Sequence, residues 1–255
     1  MRPERTDRAK PPILFIHGVF GRPTLMEPWI RFFESAGFDC SAPVLPGREP
    51  TDDGVLARTD IQDCFEVALS AYDQLDRAPI VIGHSMGGLL TQKIAAARRP
   101  PAAVLLASIP AGVLWPQLRA LPHLFPLLPR ILAGKPFFPS ERTLRQVPLN
   151  TLSTEEQDEL LPRLVRDSGR VFREMSTGAS STRVNTKNIT CPMLCVSAGA
   201  DRNVAPWISR RLAARYGAEH QVHPGLPHWI IAPSAVDDVA PPVLGWLAKT
   251  LGLAD

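Results

Sequence analysis

The sequence predicts an α/β fold with a mostly parallel sheet covered by helices on both faces, and three observations predict it. Short runs rich in Ile, Val and Leu stop at Gly, Pro or Asp, and longer helix-compatible stretches separate them. The runs at 13–16, 80–82 and 103–107 are apolar at every position, as strands buried on both faces must be. With 255 residues, 45% of them hydrophobic and 21% charged, the chain has the size and balance of one packed domain and lies far from the signature of disorder.

Each element follows in order. Pro11-Pro12 opens the strand at 13–16, and the His17-Gly18 turn leads to a helix over 25–35 that Gly37 closes. A second strand at 39–43 runs into the Pro46-Gly47 turn, after which the polar stretch 48–59 reads as a surface loop. Asp60 is placed to cap a helix running to 75, where Ile61, Phe65, Ala68, Leu69 and Tyr72 recur on one face. Pro79 starts the strand at 80–82, a helix covers 86–97, and the next strand is 103–107. The alternation breaks after Pro110, where Pro, Leu, Trp and Phe become dense. It resumes with a strand at 193–197, a helix at 207–216, a strand at 219–222 and a last helix at 235–251. The chain is thus expected to divide into a core of residues 1–109 and 184–255 and a predominantly helical insertion of residues 110–183.

Charge and cysteine usage narrow the function. A net charge of +3, with Lys and Arg scattered, leaves no basic stripe of the kind that binds nucleic acid. Cys40, Cys64, Cys191 and Cys195 contain no Cys-x-x-Cys pair and no His at metal-ligand spacing, so buried free thiols are expected. The charged residues 1–12 precede an apolar run too short for a signal peptide, and the apolar stretch 102–115 is interrupted by Ser108 and Pro110. A soluble cytoplasmic protein without integral membrane association, acting on a small molecule, is the expectation.

The chemistry centres on Ser85 in Gly83-His84-Ser85-Met86-Gly87, which follows a strand and opens a helix. A serine on so sharp a turn projects its oxygen from the sheet, and glycines at 83 and 87 are needed because the turn leaves no room for side chains. A serine hydroxyl requires a base. His228, in the loop Pro224-Gly225-Leu226-Pro227-His228 after the last strand, can reach back over the carboxyl ends of the sheet. His223, at that strand's end, is its competitor; His84 and His17 are assigned to turn geometry, and His123 and His220 to the surface. The base requires a carboxylate to set its tautomer. Asp201, just beyond the strand at 193–197, fits that role, with capping of the following helix as the alternative. An oxyanion would be met by the backbone amides of Met86 and of Val19 or Phe20 in the turn after the first strand.

Four segments resemble the α/β-hydrolase superfamily: the His17-Gly18 turn, the Gly-His-Ser-Met-Gly-Gly elbow at 83–88, Gly-x-x-Asp-x-x-Val at 198–204, and the His228 loop. The elbow is similar to that of monoacylglycerol lipases and small carboxylesterases. The resemblance implies an α/β-hydrolase fold with a helical cap after the sixth strand, a serine triad in the order Ser85, Asp201, His228, and no metal or organic cofactor. Pro46-Gly47-Arg48-Glu49 departs from the loop many relatives carry. Hydrolysis of esters of apolar acyl groups is the leading reading, with Trp115, Leu118, Phe137 and Trp229 as pocket candidates. Thioester, lactone or carbon–carbon bond cleavage with the same triad, and a receptor-like protein that only binds a small molecule, are the alternatives.

Overall fold

A computed structural model describes residues 10–253, so the residues 1–9 weighed above as a leader lie outside the described residues. The strands are β1 (Ile13–Ile16), β2 (Cys40–Ser41), β3 (Ile80–His84), β4 (Ala103–Leu106), β5 (Met193–Ala198) and β6 (Glu219–His223). They form one six-stranded sheet in the order β2-β1-β3-β4-β5-β6, parallel throughout. Helices α1 (Glu27–Ser35), α2 (Asp53–Leu56), α3 (Ile61–Asp73) and α4 (Met86–Arg98) precede β4; α10 (Pro206–Tyr216) and α11 (Pro233–Leu251) follow β5 and β6. Between β4 and β5 lie α5 (Leu121–Leu124), α6 (Leu128–Leu132), α7 (Glu141–Gln146), α8 (Thr154–Leu160) and α9 (Gly169–Thr177).

The period-2 alternation of the strands divides the core into two layers. Ile13, Phe15, Ile80, Ile82, Val104, Leu106, Leu194 and Val196 face α1 and α11, meeting Trp29, Phe33, Val239, Val243 and Leu247. Leu14, Ile16, Val81, Ala103, Leu105, Met193 and Cys195 face α3, α4 and α10, meeting Cys64, Ala68, Leu90, Ile94 and Leu212. Both faces of the central strands are therefore dry, and that is why their sequences are apolar without interruption. α3 begins where expected: the Asp60 side chain accepts from the Gln62 and Asp63 amides, and Asp63 returns a bond to the Asp60 amide.

The topology positions the site. β1 lies between β2 and β3, so the chain leaves β1 toward one edge and returns to build toward the other. Such a reversal opens a crevice at the carboxyl ends of the two strands. The register pairs Ile16 with Gly83, which sets the turn after β1 directly beside the turn after β3.

Several expectations are corrected. The second strand is only Cys40–Ser41. Residues 48–59 lie mostly at the surface as expected, but Arg48 is fully buried and the short helix α2 places Leu56 in the interior. The inserted helices follow β4, in agreement with the four strands read ahead of residue 110. Cys64 and Cys195 are buried but Cys40 and Cys191 only half-buried, and all four thiols are free. No helix among the described residues is long and apolar enough to cross a membrane.

Candidate active site

Ser85 sits between β3 and α4 with φ 55° and ψ −117°, in a region that non-glycine residues rarely occupy. Main-chain bonds hold it there: its amide donates to the Leu106 carbonyl, and its carbonyl accepts from Gly88 and Ile109. A Cβ on Gly83 would collide with the Gly87 carbonyl and the Thr91 hydroxyl, and one on Gly87 would collide with the Ile16 carbonyl. The elbow therefore presses against the end of β1 as closely as backbone allows.

The structure brings Ser85, His228 and Asp201 into one chain of hydrogen bonds. Ser85 Oγ is 2.9 Å from His228 Nε2, and His228 Nδ1 is 2.7 Å from Asp201 Oδ2. A carboxylate only accepts, so Nδ1 carries the ring proton and Nε2 offers its lone pair to the serine hydroxyl. Asp201 Oδ1 accepts from the Asn203 and Val204 amides, which fixes the carboxylate plane. Asp201 thus caps its own turn and orients His228 at once; it does not cap α10, whose N-cap is Ala205. All three side chains are at most 4% exposed, so the hydrogen-bonded chain lies in a low-dielectric setting where each bond is strengthened. His223 ends the edge strand β6, and the serine's partner is His228.

His84 has a definite task. Its Nε2 donates to the His228 carbonyl at 2.9 Å, tying the elbow to the loop that carries His228, and its ring packs on His228 and Trp229. His17 Nδ1 donates to the Gly18 carbonyl at 2.9 Å. Both rings are buried. Burial, reinforced by Arg48 beside His17 and by His228 and His17 beside His84, pushes their pKa values down from 6.5 to about 3.

These rings carry a pH consequence. In the unfolded chain each takes up a proton near pH 6.5, whereas in the fold neither does until about pH 3. Their contribution is intact above pH 6.5 and is lost progressively as the pH falls toward 3. Around pH 5 the two together should make stability fall by about 3 kcal/mol for each pH unit of acidification. Urea denaturation between pH 7 and 4.5 measures this, and a flat profile above pH 5 would contradict it.

The turn after β1 is held from the insertion. Phe20 has φ 59°, and its amide donates to Asp167 Oδ2 at 2.8 Å while its carbonyl accepts from Val165 at 3.0 Å. Asp167 also takes two bonds from Arg48, at 2.7 and 3.0 Å, and both side chains are fully buried. Neither the Val19 nor the Met86 amide donates a hydrogen bond among the described residues. Arg48 and Asp167 are site residues that sequence reasoning missed. Arg48 stood in a polar stretch, and Asp167 carried no signal beyond the Ser168 cap of α9 that follows it.

A cavity of about 220 Å³ opens on Ser85 and His228, and Val19, Leu114, Leu124, Leu127, Ile131 and Trp229 are among its walls. Of the four sequence-chosen pocket residues, only Trp229 lines it. Trp115 and Leu118 face solvent at 67% and 84% exposure. Phe137 is buried one layer behind, edge-on to Phe20 and Phe172, which do line the cavity. His123, expected at the surface, lines the cavity with Nδ1 3.2 Å from the Thr143 hydroxyl. His220, also expected at the surface, is half-buried and bonded to Ser197. The half-buried arginines of the insertion are paired with carboxylates: Arg145 with Glu141 and Asp158, Arg166 with Asp53, and Arg170 with Asp60.

A parallel sheet reversing at β1 and β3, with a serine elbow at the reversal, defines an α/β-hydrolase architecture. The chain belongs to the alpha/beta hydrolase family, whose model matches residues 13–241. A pyrethroid hydrolase of Sphingobium wenxiniae is 29% identical over 76 residues, covering 30% of this chain and 27% of that protein. A monoacylglycerol lipase of Paleococcus ferrophilus is similar in structure with a TM-score of 0.71 at 19% identity, covering 94% of this chain and 96% of that one. A pyrethroid hydrolase of Sphingobium faniae superposes with a TM-score of 0.72 at 17% identity, covering 93% and 97%.

Proposed function

We propose that the protein is a serine hydrolase that cleaves carboxylic esters of apolar acyl groups through an acyl-enzyme. The observation that carries this reading is the relay from Ser85 through His228 to Asp201, open at its serine end to a largely apolar cavity. Ser85 Oγ attacks the ester carbonyl while His228 Nε2 takes the hydroxyl proton, and Asp201 stabilises the imidazolium that results. His228 then gives the proton to the departing alkoxide. Water, deprotonated by the same ring, releases the acid and restores Ser85. No metal or organic cofactor enters these steps.

The tetrahedral oxyanion is met by the amides of Met86 and Val19. Val19 is favoured over Phe20 because the Phe20 amide is already bonded to Asp167. Asp167 and Arg48 act through that turn as positioning residues. Residues 110–183 serve as the cap that shapes the acyl pocket, supported by the inserted leucines and Ile131 in the cavity wall. Relatives described as a lipase and as pyrethroid hydrolases fit an ester with a large apolar portion.

The test is labelling together with turnover. A fluorophosphonate probe should modify Ser85, located by peptide mass spectrometry, and the protein should release nitrophenol from short and medium acyl esters. Absence of both would sink the hydrolase reading and leave the fold as that of a binding protein. A matched panel of ester, thioester and lactone substrates assigns the bond.

A further inference from the structure

Residues 113–138 carry side chains both on the cavity and on the solvent side. Their inward side chains, Leu114, Leu124, Leu127 and Ile131, line the cavity over Ser85. The side chains between them face out: Val113, Trp115, Leu118, Phe125, Leu132 and Phe138 are 39%, 67%, 84%, 62%, 63% and 39% exposed. Nine large hydrophobic residues are this exposed among the described residues, and six of them fall in this one stretch. All six are thus carried by the one stretch that walls the cavity. Leu132 both lines the cavity and is exposed, so this apolar surface continues into the cavity rim.

Two further features say what covers it. The sequence from 77 to 140 contains no Asp or Glu, and within the stretch Arg119, Arg130 and Lys135 are exposed. None of the three has a carboxylate partner among the described residues. The stretch is also broken by Pro116, Pro122, Pro126, Pro129 and Pro136. Each proline removes a backbone N–H that would otherwise need water. Protruding Trp, Phe and Leu flanked by cations without carboxylate partners, on a backbone from which five prolines remove N–H donors, match the boundary between headgroups and acyl chains of an anionic bilayer. A two-fold contact with a second copy fits less well, since it would bring the same three cations together.

We propose that the outer face of residues 113–138 docks peripherally on an anionic lipid surface, with the cavity rim at Leu132 turned toward the acyl layer. This goes beyond the proposed ester hydrolysis and does not depend on it. The full-length protein is sedimented with vesicles of phosphatidylcholine containing phosphatidylglycerol and with phosphatidylcholine vesicles alone. Binding to the anionic vesicles, weakened by 0.5 M salt through screening, is the expected result. The variant Trp115→Ser/Leu118→Ser/Phe125→Ser should lose about tenfold or more of that binding with an unchanged melting temperature, because all three side chains lie in solvent. Arg119→Gln/Lys135→Gln should lose it in part. Lack of binding to anionic vesicles, equal binding to neutral ones, or undiminished binding of the triple serine variant would each overturn the proposal. A concentration-dependent dimer that the triple variant abolishes, with no vesicle binding, would instead assign the face to a second copy. Capture by poly-glutamate without vesicle binding would assign it to an acidic polypeptide.

Discussion

Ser85→Ala is expected to lower ester turnover on the order of a million-fold, the loss seen when a serine hydrolase is deprived of its nucleophile. The substitution deletes one oxygen whose single bond goes to His228 Nε2, and it leaves the elbow as it is. The Cβ at 85 is already accommodated, and the backbone at φ 55° is held by the bonds to Leu106, Gly88 and Ile109. Melting temperature and circular dichroism should therefore match the wild type while nitrophenol release and fluorophosphonate labelling vanish. Turnover within about tenfold of wild type would remove Ser85 as the nucleophile.

The largest effect on stability is expected from Asp167→Ala. It leaves the Arg48 guanidinium buried without its partner, at a cost of about 3–5 kcal/mol, and strips acceptors from the Phe20 and Ser168 amides. For a domain of this size the melting temperature should drop by about 6–20 °C. Turnover of the fraction that remains folded should fall as well, because the turn carrying Val19 loses the bond from the Phe20 amide to the insertion and keeps only the one from the Val165 amide to the Phe20 carbonyl. Arg48→Met/Asp167→Leu separates the two roles. It replaces a buried ion pair by apolar groups of similar volume, which is often neutral, but gives the Phe20 amide no acceptor. Stability should return in part, short of the wild type by the unpaired Phe20 and Ser168 amides, while turnover stays low. Recovery of both would show that the bond to Phe20 is dispensable to the site.

Much of the site is legible in the sequence because its chemistry is local. The strand, serine and flanking glycines at 80–88 are contiguous, so their spacing alone carries the geometry of the elbow. Asp201 and His228 each follow a recognisable strand, and parallel strands deliver whatever follows them to the same edge of the sheet. Asp60 is readable as a cap because capping involves only the next three residues.

What escapes such a reading depends on contacts between distant parts of the chain. Arg48 and Asp167 are 119 residues apart, and each alone is an ordinary polar residue of a loop or a helix start. Within the insertion, helices of four and five residues interrupted by proline have no period long enough to separate an inner from an outer face. Hence Trp115 and Leu118 could not be distinguished from the leucines that do line the cavity, nor His123 from a surface histidine.

By itself the sequence determined the parallel α/β sheet and the residues that meet at Ser85, because those follow from strand periodicity and from motifs a few residues long. Only the tertiary structure decided that Phe20 has its amide taken by Asp167 while Val19 keeps its own free. It likewise decided which side of the inserted stretch faces the cavity and which faces out. Both are settled by packing and by a buried charge pair, and neither the partner of a buried charge nor the side of a one-turn helix is encoded locally.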